Sequence, residues 1–174
     1  MSRQNYGTVN FKVYEKEVNY LGIAEIALPD FEYATLPVSG AGLPGETEIP
    51  VLAQLKPLIT NIKFLHTNEA ASKLSTQEVH ELALWIADEF LDPEAGQLDV
   101  DDRKIIMRVM QKKRTSGTLK PSSPQDVSGE YIVYYYAEYL NGKRMTLFDY
   151  FNNKYIDHSG VDRTEKINKA LGMM

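Results

Sequence analysis

A period of two in apolar side chains marks a strand with one buried face, and it recurs along this chain. Over residues 9–18, Val9, Phe11 and Val13 alternate with Asn10, Lys12 and Tyr14, which predicts a first strand paired with its neighbour in sequence. Residues 23–28 follow, with Ala24, Ile26 and Leu28 on one side and Glu25 on the other, until Pro29 ends the run. Residues 58–66 set Leu58, Thr60, Ile62, Phe64 and His66 opposite Asn61 and Lys63. Beyond Arg103, Ile105, Met107 and Val109 share a face, and Lys104, Ile106, Arg108, Met110 and Lys112 share the other. Residues 130–140 carry Tyr131, Tyr134, Tyr135, Tyr136 and Tyr139, an aromatic density that favours a strand in contact on both faces. Asn141-Gly142 then predicts a type I′ hairpin turn, whose two central residues need positive φ, with residues 143–156 as the return strand.

Three segments break the alternation. Residues 29–57 interleave Pro29, Pro37, Pro44, Pro50 and Pro57 with Gly40, Gly42 and Gly45, which predicts a long excursion from the core. Its apolar residues, among them Phe31, Leu36, Val38, Leu43, Ile49, Val51 and Leu52, favour a docked arm over a free linker. Ser75-Thr76-Gln77-Glu78 has the form of a capping box, and Val79, Leu82, Ala83, Ile86 and Phe90 recur at the spacing of one helical face, so a helix is expected over about 75–91, stopped by Asp92-Pro93. Residues 115–127, with Ser116-Gly117, Pro121, Pro124 and Asp126, predict an exposed, mobile loop. The order of elements is that of a mainly β (α+β) fold, an antiparallel barrel or sandwich closed at one side by one flanking α-helix.

At 174 residues the chain suits a single domain over 1–174, with 43% hydrophobic and 25% charged residues inside the globular range. It contains no cysteine, which removes disulfides, thiolate metal sites and thiol nucleophiles and suits a reducing cytoplasm. Neither a signal-peptide h-region nor a run of about 18 apolar residues occurs, so the expectation is a soluble, unprocessed chain that does not insert into a membrane. A net charge of −5 argues against a dedicated nucleic-acid binder.

Candidate chemistry is sparse. His66, His80 and His158 lie on different predicted elements without metal-ligand spacing, and Asp99, Asp101 and Asp102 lack the glycine and terminal glutamate of a calcium loop, so they read as a solvated turn. The glycines of residues 40–45 precede no Lys-Ser or Lys-Thr, which argues against a phosphate cradle. The Lys104, Arg108, Lys112 and Arg114 stripe suits carboxylates of a neighbouring subunit better than nucleic acid. No nucleophile elbow is present; the expectation is no catalytic residue, no cofactor and no metal.

Two separated segments carry a resemblance. Val18-Asn19-Tyr20-Leu21-Gly22-Ile23-Ala24 followed by Ser39-Gly40-Ala41-Gly42-Leu43-Pro44-Gly45, and then Asn141-Gly142-Lys143 with Ser159-Gly160-Val161-Asp162-Arg163 and Leu171-Gly172, resemble the N-terminal and closing parts of the major tail tube proteins of contractile-tailed bacteriophages and phage-tail-like bacteriocins. The resemblance implies a structural virion protein whose homo-hexameric rings stack into the inner tail tube, their strands joining in one continuous barrel. Sheath, baseplate and tail terminator proteins are then partners, and DNA passes through without specific binding. It also implies that the arm is a protruding β-hairpin, with a subunit interface at Leu36, Val38, Ser39, Gly40, Ala41, Gly42, Leu43, Pro44 and Gly45 and again at Gly160, Val161, Asp162 and Arg163. Assembly in the bacterial host cytoplasm and residence in a virion tail or bacteriocin particle follow. Two alternatives stand beside it: a monomeric β-sandwich module binding a ligand through its tyrosine strand, and the tube of a type VI secretion system.

Overall fold

The computed structural model describes residues 3–17, 19–23 and 25–173; Val18 and Ala24, which the alternation assigns to the first two strands, lie outside them. The described elements are β1 (Gln4–Glu15), β2 (Asn19–Tyr20), β3 (Glu25–Ala27), β4 (Tyr33–Val38), β5 (Thr47–Leu55), β6 (Leu58–Phe64), α1 (Glu69–Leu74), β7 (His80–Asp92), β8 (Gln97–Thr115), β9 (Val127–Leu140), β10 (Lys143–Asp149), β11 (Lys154–Ile156) and α2 (Glu165–Ala170). The fold is mostly β, antiparallel and sandwich-like, and its main sheet does not close into a barrel.

That sheet runs β11-β10-β9-β8-β7-β1-β2. One edge of β9 pairs with β8, and the other is shared, residues 127–133 against β6 and residues 135–140 against β10. β3 pairs with β6. The core fills the space enclosed by this branching: Leu82 and Leu84, Ile105, Met107 and Val109, and Leu58 and Ile62 from β6 are all essentially inaccessible. Each such side chain contributes about 1.5–3 kcal/mol when removed from water. A smaller cluster on the opposite face joins Ala137, Leu147 and Ile156 under Tyr135 and Tyr139.

β6 alternates as read, with Leu58, Thr60, Ile62 and Phe64 buried. The hairpin turn also stands, Asn141 at φ 48° and Gly142 at φ 77°. The expected face of β1 fails at Val9, which is 59% exposed while Val13 is 1%. Register shifts flank Tyr6 and Val9, and each bulge reverses which side the next residue faces. β1 pairs with its neighbour β2 at only two positions and otherwise lies along β7. The return strand is two pieces, β10 and β11, separated by a turn.

The helix over 75–91 is not formed. Asn68 caps α1 instead, its side chain accepting from the Ala71 N–H at 2.7 Å, and the Thr76 hydroxyl donates to the Lys73 carbonyl at 2.8 Å, so the polar run ends one helix rather than beginning another. His80–Asp92 is strand β7, paired along both edges with β1 and β8. Leu82, Ala83 and Leu84 are consecutive and all buried. A strand covered on both faces loses its alternation and mimics helical spacing.

Asp99, Asp101 and Asp102 are likewise not a solvated turn but part of β8. Asp101 is buried, paired with Arg3 and accepting from the Asn141 side-chain amide at 2.8 Å. The 115–127 loop is exposed but pinned: the Gln125 side-chain amide donates to the Ser116 carbonyl at 2.7 Å, and its backbone N–H to Leu65 at 2.9 Å.

Candidate assembly surfaces

The arm is a hairpin in which β4 and β5 form a sheet of their own. Val38 pairs with Thr47, so Ser39, Gly40, Ala41, Gly42, Leu43, Pro44 and Gly45 form its apex, while Leu36 and Val38 lie on β4. Leu36, Leu43, Ile49 and Leu52 are each half or more exposed, an apolar surface that a lone copy leaves in water.

Only the root of the arm docks. Phe31 meets Tyr136 edge-on at 5.1 Å between centroids and stacks near Tyr155 at 6.4 Å, and the Tyr33 and Tyr155 hydroxyls hydrogen-bond at 3.1 Å. Burial, with the Tyr33 hydroxyl second, pushes the Tyr155 phenol well above its ordinary value. Tyr131 and Tyr136 are core residues, and Tyr135 and Tyr139 cover the second cluster. The tyrosine strand is thus largely consumed by packing. A cluster that sequence reading missed remains, exposed Tyr150 and Phe151 against half-buried Tyr134, which lies 5.2 Å from Phe151 and 6.4 Å from Tyr150. It brings together β9 and the turn after β10, elements that no local motif connects.

Gly160, Val161, Asp162 and Arg163 lie between β11 and α2. Among the described residues no hydrogen bond or ion pair joins them to the arm apex. They close a turn of their own: Asp157 accepts from the Ser159 N–H at 3.0 Å and from Arg163 Nε at 2.5 Å, and Asp162 accepts from the Thr164 hydroxyl at 2.6 Å. The hydrogen bond from Ser159, then that from Arg163, holds the Asp157 carboxyl below the ordinary range. Burial alone would raise Asp101 and Asp162, but the Asn141 amide and Arg3 in one case, and Thr164 in the other, outweigh it and leave both depressed. A carboxylate depressed in the fold stabilises it fully above the ordinary value of 3.8 and loses that contribution as pH falls through the lower folded value. The expected result is a stability plateau from neutral pH down to the region of 3.8, with a steep loss below, and urea titrations at successive pH values read it.

A third surface is a sheet edge. The Val13 carbonyl accepts from Leu21 at 3.0 Å, so Val13 and, by alternation, Phe11 turn their backbone groups away from β7. Among the described residues the Phe11 N–H is held only by the neighbouring Asn10 side chain at 2.8 Å, and no described strand pairs with this edge before Tyr14. Beside it lies an open groove of about 650 Å³ lined by Lys12, Tyr14, Trp85, Ala87 and Asp102. Edge status depends on partners distant in sequence, so no local signal announced it.

The cationic stripe is partly satisfied within the chain. Lys104 pairs with Glu17 at 2.6 Å and sits 4.4 Å from the Trp85 ring, while Arg108 pairs with Glu81 at 3.1 Å and sits 4.8 Å from Tyr135. Among the described residues no group of three His, Asp or Glu could hold a metal ion.

An all-antiparallel β subunit with a projecting hairpin and an open strand edge is built to meet other chains, and the sequence says which kind. The family model for phage tail tube protein FII matches residues 8–172. The chain belongs to that family. It is a structural tail tube protein, and its place is the tail of a phage or phage-like particle. No curated relative matches the chain. Among solved structures, a chain of the sheath/tube terminator of an extracellular contractile injection system (PVC), in the extended state, is 13% identical with a TM-score of 0.49, covering 75% of this chain and 94% of its own. A chain of the PVC sheath-tube complex is 13% identical with a TM-score of 0.47, covering 75% and 88%, and one from the anti-feeding prophage tube-terminating cap is 13% identical with a TM-score of 0.43, covering 75% and 86%.

Proposed function

We propose that this tail tube protein assembles into hexameric rings that stack into the inner tube of a contractile tail, a passive conduit with no catalytic step. The open edge of β1 carries the reading: unpaired backbone groups beside an apolar groove are stabilised by pairing with another copy, and a head-to-tail contact that closes generates a ring. Sheath, baseplate and terminator proteins are the expected partners, and assembly takes place in the host cytoplasm before the particle is complete. The arm apex and residues 160–163 serve as further contacts between subunits. Six copies, each of formal charge −5, carry about −30 together, a field that lets DNA pass without holding it.

Negative-stain microscopy and light scattering on the purified chain test this. Sixfold rings or tubes support it; particles that remain at 19.7 kDa at every concentration, with or without an assembly initiator, overturn it in favour of a monomeric binding module.

Val9→Pro probes the edge. Val9 is exposed and lies at a bulge, outside the β1–β7 register, one of the few sheet positions where proline is found. The expected result is a monomer within about 1 kcal/mol of the parent in urea unfolding, but no rings. Normal rings from this variant would remove β1 from the interface.

A further inference from the structure

The basic residues fall into two groups that differ in what they touch. Lys104 and Arg108, midway along β8, are neutralised by Glu17 and Glu81. Lys112, Lys113, Arg114 and Lys120, at the end of β8 and in the loop beyond it, are all exposed, and among the described residues no carboxylate lies within ion-pairing distance of any of them. Leu119, 79% exposed, stands in the same loop.

The arm is the complement of this surface. Between Tyr33 and Leu55 the only charged residues are Glu46 and Glu48, both exposed, and no cation pairs with either among the described residues. They flank an apex whose Leu43 is half exposed. One surface is therefore acidic with an apolar tip, and the other is basic with an apolar neighbour.

Within one copy, among the described residues, no ion pair joins Glu46 or Glu48 to these cations. The arm enters β6 at Leu58, opposite Val133, whereas Arg114 and Thr115 lie opposite Gly129 and Ser128, level with Ile62 and Lys63 near the other end of β6. Along β9, Val133 and Gly129 are four residues apart, about 14 Å at the usual rise. Two unlike, complementary patches on one subunit make a heterologous contact, which generates a ring or an open stack instead of closing as a dimer.

The basic surface is also preorganised. Gly117 sits at φ +76°, where a Cβ would fall 1.9 Å from the Gln125 carbonyl oxygen, and Gln125 ties the loop to Ser116 and Leu65. A rigid receptor loses little freedom when it is occupied.

We propose that the end of β8 with its following loop, residues 112–120, receives the arm of a second copy, Glu46 and Glu48 facing the lysines and Leu43 lying against Leu119. This rests on the reading of the chain as a tube subunit and names which surfaces join one ring to the next. Attraction between such exposed charges weakens with salt.

Charge reversal tests it in the full chain. Glu46→Lys with Glu48→Lys, and separately Lys113→Glu with Lys120→Glu, should each cut the mass of sedimentable tubes about tenfold at low ionic strength while circular dichroism is unchanged; the chain carrying all four should recover to within about threefold of the parent. Either pair polymerising like the parent overturns the proposal. So does a folded four-fold variant without recovery, which would give the basic surface to another partner such as sheath or DNA. If the unmodified chain forms neither rings nor tubes, the tube reading itself fails, and this contact with it.

Discussion

Replacing residues 39–46 by Asn-Gly abolishes tubes and leaves a folded monomer. Val38 and Thr47 are register partners, so a two-residue turn closes the shortened hairpin without disturbing β4 or β5. What is lost is the exposed apex with Leu43 and Glu46, none of it in the core. Urea unfolding is expected to move by less than about 1 kcal/mol, the usual result for an exposed segment, while electron micrographs show no tubes. Tubes of normal length would remove the apex from the assembly contact. Unfolding of the variant would mean that the apex supports the monomer, contrary to the docking of the arm at its root alone.

Leu84→Ala unfolds far more readily than the parent, and Val79→Ala does not. Leu84 is 1% exposed in the centre of β7, and truncating a buried leucine costs about 3–5 kcal/mol through lost transfer energy and the cavity left behind. Val79 is 46% exposed and precedes the strand, so its truncation is expected within about 0.5 kcal/mol. The two leave opposite signatures for the two structures of this segment. In a helix over 75–91 Val79 shares the apolar face and Leu84 does not, so a larger loss from Val79→Ala than from Leu84→Ala, measured as urea midpoints, would favour the helix.

The elements that were legible in sequence are those with one buried face or a demanding turn. β6 alternates cleanly because one side packs on the core, and Asn141-Gly142 announces its hairpin because both residues must hold positive φ. β7 was misread because β1 and β8 lie on its two edges and side chains cover both its faces, leaving neither period intact. Val9 was misplaced by a bulge, a local insertion with no residue signature of its own. Asp101 looked like one of a solvated acidic trio, and only its distant partners Arg3 and Asn141 make it a buried anion. Of the candidate assembly surfaces, the arm is visible in its prolines and glycines. The open edge of β1 is not, since being an edge is a property of the whole sheet.

Among the described residues the arm makes its strand pairs only with itself, and it is seated on the body by four aromatic rings at its root, Phe31, Tyr33, Tyr136 and Tyr155. In the proposed tube, where these ribbons cross from one ring to the next, they are the compliant joints between stiffer sheets. Bending of such a tube is expected to concentrate at the roots and spare the cores, so a long tail could curve and straighten again without melting any of its subunits.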